Sequence, residues 1–252
     1  MAKLSTSTIL ITAGTSRLGL ELIRYFLEKE WNVITTTRSE ENVVKLDKLF
    51  GNKNFVVKVL KFKEDEINKN FREMNKFFGE INTLINCASG RPKGKNIEKI
   101  NIQDMLEVYD STVNSAFLCT KEIMLQRNLN KVNSIINIGS IYGSNAVDHR
   151  IYNNPNEQTP ISYSVAKAGL VMMTKYMAAY WGNTDVRINC VSPGGIEDNQ
   201  SNEFIKKYSN KVPMKRLVKN NEVVETIGFL ASDGSSGITG QNILVDAGMS
   251  IW

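Results

Sequence analysis

Regular alternation of short apolar runs with amphipathic segments is the feature that most constrains what this 252-residue chain can fold into. The apolar runs are rich in β-branched residues and predict strands at 8–12, 32–37, 55–60, 83–87, 134–138, 187–191 and 242–245. Helical patterns separate them at 20–30, 40–50, 64–79, 101–127, 161–181 and 219–231. This alternation predicts an α/β fold, with a doubly wound parallel sheet of about seven strands and helices on both faces.

The turn after the first strand is a candidate ligand site. In a doubly wound sheet, ligands bind at the carboxyl ends of the strands, where the strand order reverses. The first strand is followed by the small residues 13–16, and an amphipathic run comes next. Backbone N–H groups at such a helix N-terminus can hold a pyrophosphate. With so few glycines the segment also fits an ordinary strand–helix turn, and both interpretations remain open at this point.

Tyr163 and Lys167 are the strongest candidates for chemistry. They lie four residues apart at the start of a predicted helix, so their side chains share one helix face. A cation within ~4–6 Å favours the phenolate form of a tyrosine, whose pKa is otherwise near ~10. The pair therefore indicates acid–base chemistry on an alcohol or carbonyl oxygen. Taken alone, the same spacing also fits an exposed helix face.

Several motifs, in register along nearly the whole chain, resemble the short-chain dehydrogenase/reductase family in its compact, single-domain branch. The resemblance includes the small-residue turn at 12–19, residues 86–89 after the fourth strand, and the segment 189–194 after the sixth strand. It also includes Asn114, Ser140, Tyr163, Lys167 and residues 245–248 near the end of the chain. This family has a Rossmann-like fold, which agrees with the predicted strand–helix alternation.

The resemblance implies a nicotinamide cofactor and hydride transfer to a carbonyl or from a secondary alcohol. It implies that Tyr163 gives a proton to the carbonyl oxygen in reduction or takes one from the alcohol in oxidation. Lys167 would lower the pKa of Tyr163 by its charge and hold the hydroxyls of the nicotinamide ribose. Ser140 would orient the substrate oxygen, and Asn114 would hold a water that relays protons. The residues expected to bind the cofactor are Thr12, Gly14, Ser16, Arg17, Leu18, Gly19, Thr37, Arg38, Asn86, Ala88, Tyr163, Lys167, Pro193, Gly194 and Ile196.

The chain departs from the family pattern at the glycine-rich turn. Ala13 and Arg17 replace two glycines, and only Gly19 is kept. A Cβ at positive φ costs about 1 kcal/mol or more, so a reshaped turn is expected. Arg17 at this place resembles the variant found in pteridine reductases. The third strand ends at residues 60–63 without a match for the aspartate that contacts adenine in the family.

Charge at the end of the second strand predicts the cofactor. NAD enzymes place an acid there to bind the ribose 2′-hydroxyl, whereas this chain has Thr37 followed by Arg38. An arginine can hold a 2′-phosphate with forked, charge-assisted hydrogen bonds. Arg17 could approach the same pocket. NADP is therefore the expected cofactor, with NAD as the alternative if Arg38 points to solvent.

Two segments are expected to shape the substrate site. Ser140 and Tyr163 stand further apart than is usual in the family, which indicates an insertion within 141–160 beside the active site. A second segment, 194–216, is expected to cover the substrate. Both carry polar and aromatic residues, which favour a hydroxyl-rich, sugar-like ligand. They also resemble oxidoreductases of bacterial surface-sugar and flagellin-glycan synthesis.

Other functions remain open. A 3-ketoacyl or pteridine reductase-like enzyme is the main rival, and a non-catalytic dinucleotide-binding protein of the same fold is another. A nucleotide-sugar epimerase or dehydratase is disfavoured, because those chains carry a sizeable C-terminal substrate domain. The basic stretch 206–219 could attract an anionic substrate or form a solvated helix face. His149 could contact substrate or lie in a solvent-facing loop.

Composition indicates a single cytoplasmic enzyme domain over residues 1–252. The net charge of +5 is scattered, so no nucleic-acid partner is expected. The three cysteines, Cys87, Cys119 and Cys190, have no paired spacing and are expected to be reduced and buried. A lone histidine predicts no metal site, and the absence of long apolar runs predicts no membrane span. The family resemblance implies a homotetramer or homodimer, packed through the helices that carry Asn114 and Tyr163.

Overall fold

A single parallel sheet carries the chain. The computed structural model describes residues 7–90, 92–126 and 133–251. The strands are β1 (Thr8–Ile11), β2 (Asn32–Thr37), β3 (Phe55–Val59), β4 (Thr83–Asn86), β5 (Ser134–Ile138), β6 (Arg187–Pro193) and β7 (Asn242–Val245). They form a seven-stranded sheet in the order β3-β2-β1-β4-β5-β6-β7, and every neighbouring pair is parallel. The predicted fold class is confirmed.

The strand order reverses at β1. Ile9 pairs with Val33 of β2 on one side and with Thr83 of β4 on the other. From β1 the chain winds outward to β3, then crosses back to β4 and winds the other way to β7. This reversal leaves a crevice at the carboxyl ends of β1 and β4, as the sequence predicts.

The helices cover both faces of the sheet. They are α1 (Arg17–Glu28), α2 (Glu40–Phe50), α3 (Glu64–Phe78), α4 (Ile102–Tyr109), α5 (Ser115–Leu125), α6 (Ile161–Tyr180), α7 (Asn202–Lys211) and α8 (Asn220–Ala231). Successive side chains of a strand point to opposite faces. Ile9 and Ile11 therefore pack with α1, α2 and α8, whereas Leu10 packs with α3, α5 and α6. In the part of the chain that the structure describes, no helix has the length and apolar content to cross a membrane.

The predicted helix over 101–127 is interrupted. Its described part consists of α4, a π-helical turn at Asp110–Asn114, and α5. Residue 127 lies outside the described residues. A π turn adds one residue to a helical turn, so side chains before and after it do not follow one 3.6-residue period. This shift decides which residues of the segment face the sheet.

The insertion at 141–160 is folded against α7. It forms three short 3₁₀ turns, at Ile141–Gly143, His149–Ile151 and Pro155–Glu157. Ile151 is buried in a small cluster with Tyr208, Val212 and Leu217. Helix α7 was not predicted from the sequence. The insertion and the covering segment 194–216 thus form one packed layer over the crevice.

Candidate active site

Ser140, Tyr163 and Lys167 line one cavity of about 280 Å³ beyond the carboxyl ends of the strands. Ser140 lies two residues after β5, and Tyr163 and Lys167 lie on the first two turns of α6. The Lys167 side chain is 2% exposed, and its Nζ donates a hydrogen bond of 2.6 Å to the Ile138 carbonyl. The same Nζ lies 5.5 Å from the centroid of the Tyr163 ring. The ammonium is thus fixed beside the phenol.

The turn after β5 holds Ser140 in place. Its Oγ accepts a hydrogen bond of 3.2 Å from the backbone N–H of Tyr142. Gly143 ends this turn against α6, where an added Cβ would lie 2.9 Å from the Lys167 carbonyl carbon. Only a glycine permits this close approach, so the turn carrying Ser140 packs directly on the helix carrying Tyr163 and Lys167.

Asn114 does not join these three residues. It lies on the exposed side of the π turn, and its Nδ2 donates to Asp110 Oδ1 at 2.5 Å. The fully buried residue of the turn is Thr112, whose hydroxyl lies 3.1 Å from Ser89 Oγ. The expected role of Asn114, to hold a water that relays protons, stays a prediction, and the π turn presents Thr112 to the interior.

A second cavity of about 580 Å³ continues from the first. The two cavities meet at Ser16, Arg17 and Ser89, and together they form one groove from the end of β2 to Tyr163. We call this the dinucleotide groove. Of the residues expected to bind the cofactor, those that line it are Ser16, Arg17, Leu18, Thr37, Arg38, Ala88, Tyr163, Lys167, Pro193, Gly194 and Ile196.

Two expected binding residues form the framework behind the groove. Thr12 is 1% exposed, and its Oγ1 accepts hydrogen bonds from the N–H groups of Cys87 (2.9 Å) and Ala88 (3.0 Å). Asn86 is also buried, and its Nδ2 donates to Thr120 Oγ1 and Asn137 Oδ1. Neither lines the groove. Both side chains hold the strand ends together, and their expected contact with the cofactor stays a prediction.

The turn at 12–19 keeps the close packing of backbone that glycines permit, although it contains few glycines. Ala13 itself has φ 57°, in the left-handed region that usually favours glycine. A Cβ on Gly14 would lie 2.2 Å from Thr35 Oγ1, and one on Gly19 would lie 2.6 Å from the Ala13 carbonyl oxygen. Gly14 and Gly19 therefore act by allowing close packing and do not line the groove. The turn accommodates the missing glycine through the backbone of Ala13.

The end of β2 offers hydrogen-bonding groups to the groove. Thr37 Oγ1 is buried and has no hydrogen-bond partner among the described residues. Arg38 is exposed, and it makes no ion pair within 7–90, 92–126 and 133–251. Leu60 and Phe62, which follow β3, supply an apolar wall where the family has its aspartate.

Arg17 is not directed toward Arg38. Its guanidinium forms an ion pair with Asp198 of the covering segment and contacts the Asn220 amide at the start of α8. Arg17 lines the same cavity as Thr37 and Arg38, and its expected contact with a 2′-phosphate stays a prediction. Asp198, Gln200 and Asn220 line the groove as well. Asp198 and Gln200 belong to the polar segment expected beside the substrate, whereas Asn220 was not expected at the site.

A third cavity, of about 450 Å³, opens from Ser140 and Tyr163 toward the insertion. Its walls include Tyr142, Tyr152, Tyr208, Phe204, Thr159, Gln158 and Gln200. The Tyr152 hydroxyl lies 2.8 Å from Thr159 Oγ1, and the Tyr208 hydroxyl accepts from Gly195 N–H at 2.6 Å. We call this cavity the substrate pocket.

Two of these phenols are held in the neutral form. Burial, followed by the electrostatic effect of Tyr152 and a hydrogen bond with it, raises the pKa of Tyr142 well above its ordinary value of 10.0. Burial also raises the pKa of Tyr208 to about 12. Both hydroxyls therefore remain protonated at neutral pH. The phenols thus present neutral hydrogen-bonding groups to the pocket, which Lys93 and Glu157 also line.

His149 and the basic side chains of the stretch 206–219 do not line the substrate pocket. His149 is exposed, and its Nδ1 lies 3.0 Å from Gln158 Oε1. In the basic stretch, Lys207 pairs with Glu203, Lys211 with Asp148 and Arg216 with Glu222. These pairs neutralise much of its charge, which favours the solvated helix face over a field that attracts anions. Within the described residues, no cluster of three or more His, Cys, Asp or Glu side chains is placed to hold a metal.

The fold and the site place the chain in a known family. Residues 13–250 match the family described as enoyl-(acyl carrier protein) reductase. The chain is also 32% identical to a short chain dehydrogenase from Leptospira borgpetersenii, solved with bound NAD+. The two structures align with a TM-score of 0.86 over 98% of this chain and 93% of the other. The chain belongs to the short-chain dehydrogenase/reductase family.

Two of the curated relatives have different functions. The chain is 27% identical over 248 residues to the 3-oxoacyl-(acyl-carrier-protein) reductase FabG of Staphylococcus epidermidis, covering 95% of this chain and 97% of that protein. It is 26% identical over 257 residues to the post-translational flagellin modification protein A of Campylobacter coli, covering 98% and 100%. At these identities the relatives support the family and leave the substrate open.

Proposed function

We propose that this chain is an NADP-preferring oxidoreductase that transfers hydride between the nicotinamide and a carbonyl or secondary alcohol. The observation that carries the proposal is the placement of Ser140, Tyr163 and Lys167 in one cavity. That cavity opens on one side to the dinucleotide groove and on the other to the substrate pocket.

The three residues divide the acid–base work. A bound nicotinamide supplies or accepts the hydride. Tyr163 donates its phenolic proton to the carbonyl oxygen in reduction and takes a proton from the alcohol in oxidation. The buried Lys167 ammonium stabilises the negative charge left on the Tyr163 oxygen, and it is placed to hold the ribose hydroxyls. Ser140 donates a hydrogen bond to the same substrate oxygen and orients it.

The end of β2 fits a 2′-phosphate. Thr37 offers an unpaired buried hydroxyl, and Arg38 offers a guanidinium without an ion pair among the described residues. Charge-assisted hydrogen bonds contribute ~1.5–3 kcal/mol, so NADPH should bind about ten- to hundredfold more tightly than NADH. Fluorescence titration of both cofactors tests this.

Arg38→Leu should remove most of that preference. Lys45→Met is the matched control, because Lys45 lies on α2 outside the groove and pairs with Glu41. Tighter binding of NADH than of NADPH by the wild type would contradict the NADP assignment.

The walls of the substrate pocket favour a polar, sugar-like substrate. Neutral phenols, Thr159 and two glutamines lie in its walls with Tyr163, together with the charged residues Lys93 and Glu157. Buried hydrogen-bonding groups of this kind reject ligands that leave them unpaired. The similarity to a flagellin modification protein supports the same substrate class. The second candidate, a 3-ketoacyl reductase, is favoured by the similarity to FabG proteins.

Ternary thermal shifts separate the two candidates. With NADPH present, a panel of sugars, polyols and nucleotide sugars is compared with acetoacetyl thioesters and pterins. The true ligand at 100 times its Kd should stabilise the protein by about 2.7 kcal/mol. We expect the larger shift from a polyol or sugar derivative. A shift with the thioester or pterin alone would assign the rival function, and no hydride turnover on any carbonyl would indicate a non-catalytic protein.

The setting we propose is a cytoplasmic homodimer or homotetramer that acts on a small molecule. All three cysteines are buried, and Cys119 and Cys190 are free thiols, which is typical of a reducing compartment. Burial raises the pKa of Cys190 to about 11, so this thiol is unreactive at neutral pH.

A further inference from the structure

One arginine side chain crosses the dinucleotide groove. Arg17 is the first residue of α1 and lines both cavities of the groove. Its Nη1 forms an ion pair with Asp198 of the covering segment. The Asn220 amide, with its oxygen turned to the guanidinium, accepts from Nε at 3.1 Å and from Nη2 at 3.2 Å. Three elements that are distant in sequence therefore meet on one guanidinium.

The guanidinium lies where a pyrophosphate would be held. The two cavities meet at Ser16, Arg17 and Ser89, beside the N-terminus of α1. The N–H groups of Arg17 and Leu18 open this helix and have no acceptor within it, so they can receive a phosphate. A pyrophosphate at this point is a stronger partner for the guanidinium than a single carboxylate, because it carries more negative charge and more acceptor oxygens.

We propose that Arg17 and Asp198 form a clasp across the groove, and that Asp198 is a positioning residue that weakens dinucleotide binding by competing for Arg17. Both side chains are partly exposed and line the groove, so a phosphate bound there can replace the carboxylate at Nη1. The inference rests on dinucleotide binding in this groove and not on the substrate proposed above.

Replacement of Asp198 by a phosphate at Arg17 would also affect the part of the groove beside the substrate pocket. The Asp198 N–H donates to Gln200 Oε1 at 2.6 Å, and Gln200 Nε2 donates to the Ile196 carbonyl at 2.7 Å. Residues 196–200 are thus held as one turn, and Ile196 and Gln200 line the catalytic cavity. When a pyrophosphate takes Arg17, this turn loses its link to α1. Cofactor binding is thereby coupled to the position of the covering segment.

A double-mutant cycle on NADPH binding tests the clasp. Asp198→Asn should tighten NADPH about two- to fivefold, the change expected when one half-exposed ion pair stops competing. Arg17→Leu should weaken NADPH about tenfold or more, because a charge-assisted contact is lost. In the Arg17→Leu background, Asp198→Asn should have no effect. Kd values for the four proteins come from fluorescence titration.

Two smaller ligands show which part of NADPH is affected by Asp198. ADP-ribose contains the pyrophosphate, whereas adenosine 2′-monophosphate reaches only the end of β2. Asp198→Asn should tighten ADP-ribose and leave adenosine 2′-monophosphate unchanged. Glu197→Gln removes the same charge one residue away, where the side chain lines a separate cavity, and it should leave NADPH binding unchanged.

The outcomes are distinct. Unchanged or weaker NADPH binding in Asp198→Asn overturns the clasp, since Asp198 would then orient Arg17 or play no part. Equal tightening by Glu197→Gln overturns it too, because the effect would be long-range charge. If the wild type binds neither NADPH nor ADP-ribose, the dinucleotide function itself is wrong, and the clasp fails with it.

Discussion

Tyr163 is the residue on which the proposed chemistry depends most directly. Tyr163→Phe keeps the ring but removes the proton, and general acid–base catalysis of this type is worth ~10²–10⁴-fold. We therefore expect kcat to fall by about that factor while the Kd for NADPH is unchanged. The measurement is steady-state turnover with the substrate identified by the ternary screen, together with NADPH titration.

Tyr180→Phe is the matched control for that substitution. Tyr180 lies on the same helix, is exposed and is absent from the walls of the groove and of the substrate pocket. Its turnover should equal that of the wild type. Near-normal kcat in Tyr163→Phe would show that another group supplies the proton.

Ala13 gives a stability prediction at the same scale. Its φ of 57° costs a non-glycine residue ~1–2 kcal/mol, whereas glycine adopts it freely. Glycine also raises the entropy of the unfolded chain, which offsets part of this gain. Ala13→Gly should therefore increase the free energy of unfolding by about 0.5–1 kcal/mol, measured by urea denaturation.

The same substitution in a helix should have the opposite effect on the free energy of unfolding. Ala168 is exposed on α6, so Ala168→Gly should decrease the free energy of unfolding by ~1 kcal/mol. A destabilised Ala13→Gly protein would mean that the Ala13 methyl group makes packing contacts that outweigh the backbone cost.

The positions of the candidate site residues could be predicted from the sequence to different degrees. Tyr163 and Lys167 were predictable because they share one uninterrupted helix, whose period fixes their relative position. The position of Asn114 relative to them could not be predicted from spacing, because the π turn changes that period within its own segment. The partners of Arg17 were not predictable, since Asp198 and Asn220 reach it only through the tertiary path of the covering segment.

At the scale of elements, all seven strands were predictable and α7 was not. Each strand is a continuous run rich in β-branched residues, and such a run indicates a strand more clearly than a helix. Helix α7 is mostly polar, and Tyr208 is its one fully buried side chain, so no apolar stripe marks it. It is stabilised instead by contacts with the insertion, among them the rings of Tyr152 and Phe204 at 5.7 Å.

The N-terminus of α8 gives a pH prediction. The Glu222 carboxylate accepts from Lys219 N–H at 2.7 Å and from Arg216 at 2.6 and 2.8 Å. Hydrogen bonding to Arg216, and then to Lys219, lowers the pKa of Glu222 to about 2 from 4.5. A lowered pKa in the folded state means that the stabilisation is present above pH 4.5 and is lost as the pH falls toward 2.

Glu222→Gln should therefore lower the Tm at pH 7 by about 2–4 °C, the shift that ~1 kcal/mol gives in a chain of this size. The difference from the wild type should shrink steadily below pH 4.5. Glu41→Gln, which breaks an exposed pair with Lys45 on α2, should change the Tm less. A Tm difference that is independent of pH between 7 and 3 would show that charge is not the cause.

For the whole molecule, topology was the most predictable property. Right-handed crossovers and a single reversal of strand order leave few arrangements for alternating strands and helices. The position of the crevice follows from that topology alone. The shape of the substrate pocket does not, because it depends on how the insertion and α7 pack together over the crevice.

The outer face of α4, α5 and α6 is the surface through which we expect copies to assemble. Helices α4 and α6 pack through Val108 and Ala166, with Val113 of the π turn between them. Their outward sides, with α5, still expose large apolar residues, which are Ile102, Leu106, Tyr109, Phe117, Ile161, Val165, Met172, Tyr176 and Tyr180. An exposed apolar patch of this extent on a folded chain is typical of an interface.

Light scattering tests this assembly. The wild type should have a mass of two or four times 28.3 kDa. Tyr176 is 71% exposed, so Tyr176→Glu should not disturb the core, but it would bury a charge without a partner in an assembled face. We expect the mass to fall toward that of one chain. Val44→Glu, on α2 and 68% exposed, should leave the mass unchanged. A wild-type mass of one chain at all concentrations would contradict the assembly, and an unchanged mass in Tyr176→Glu would place the interface elsewhere.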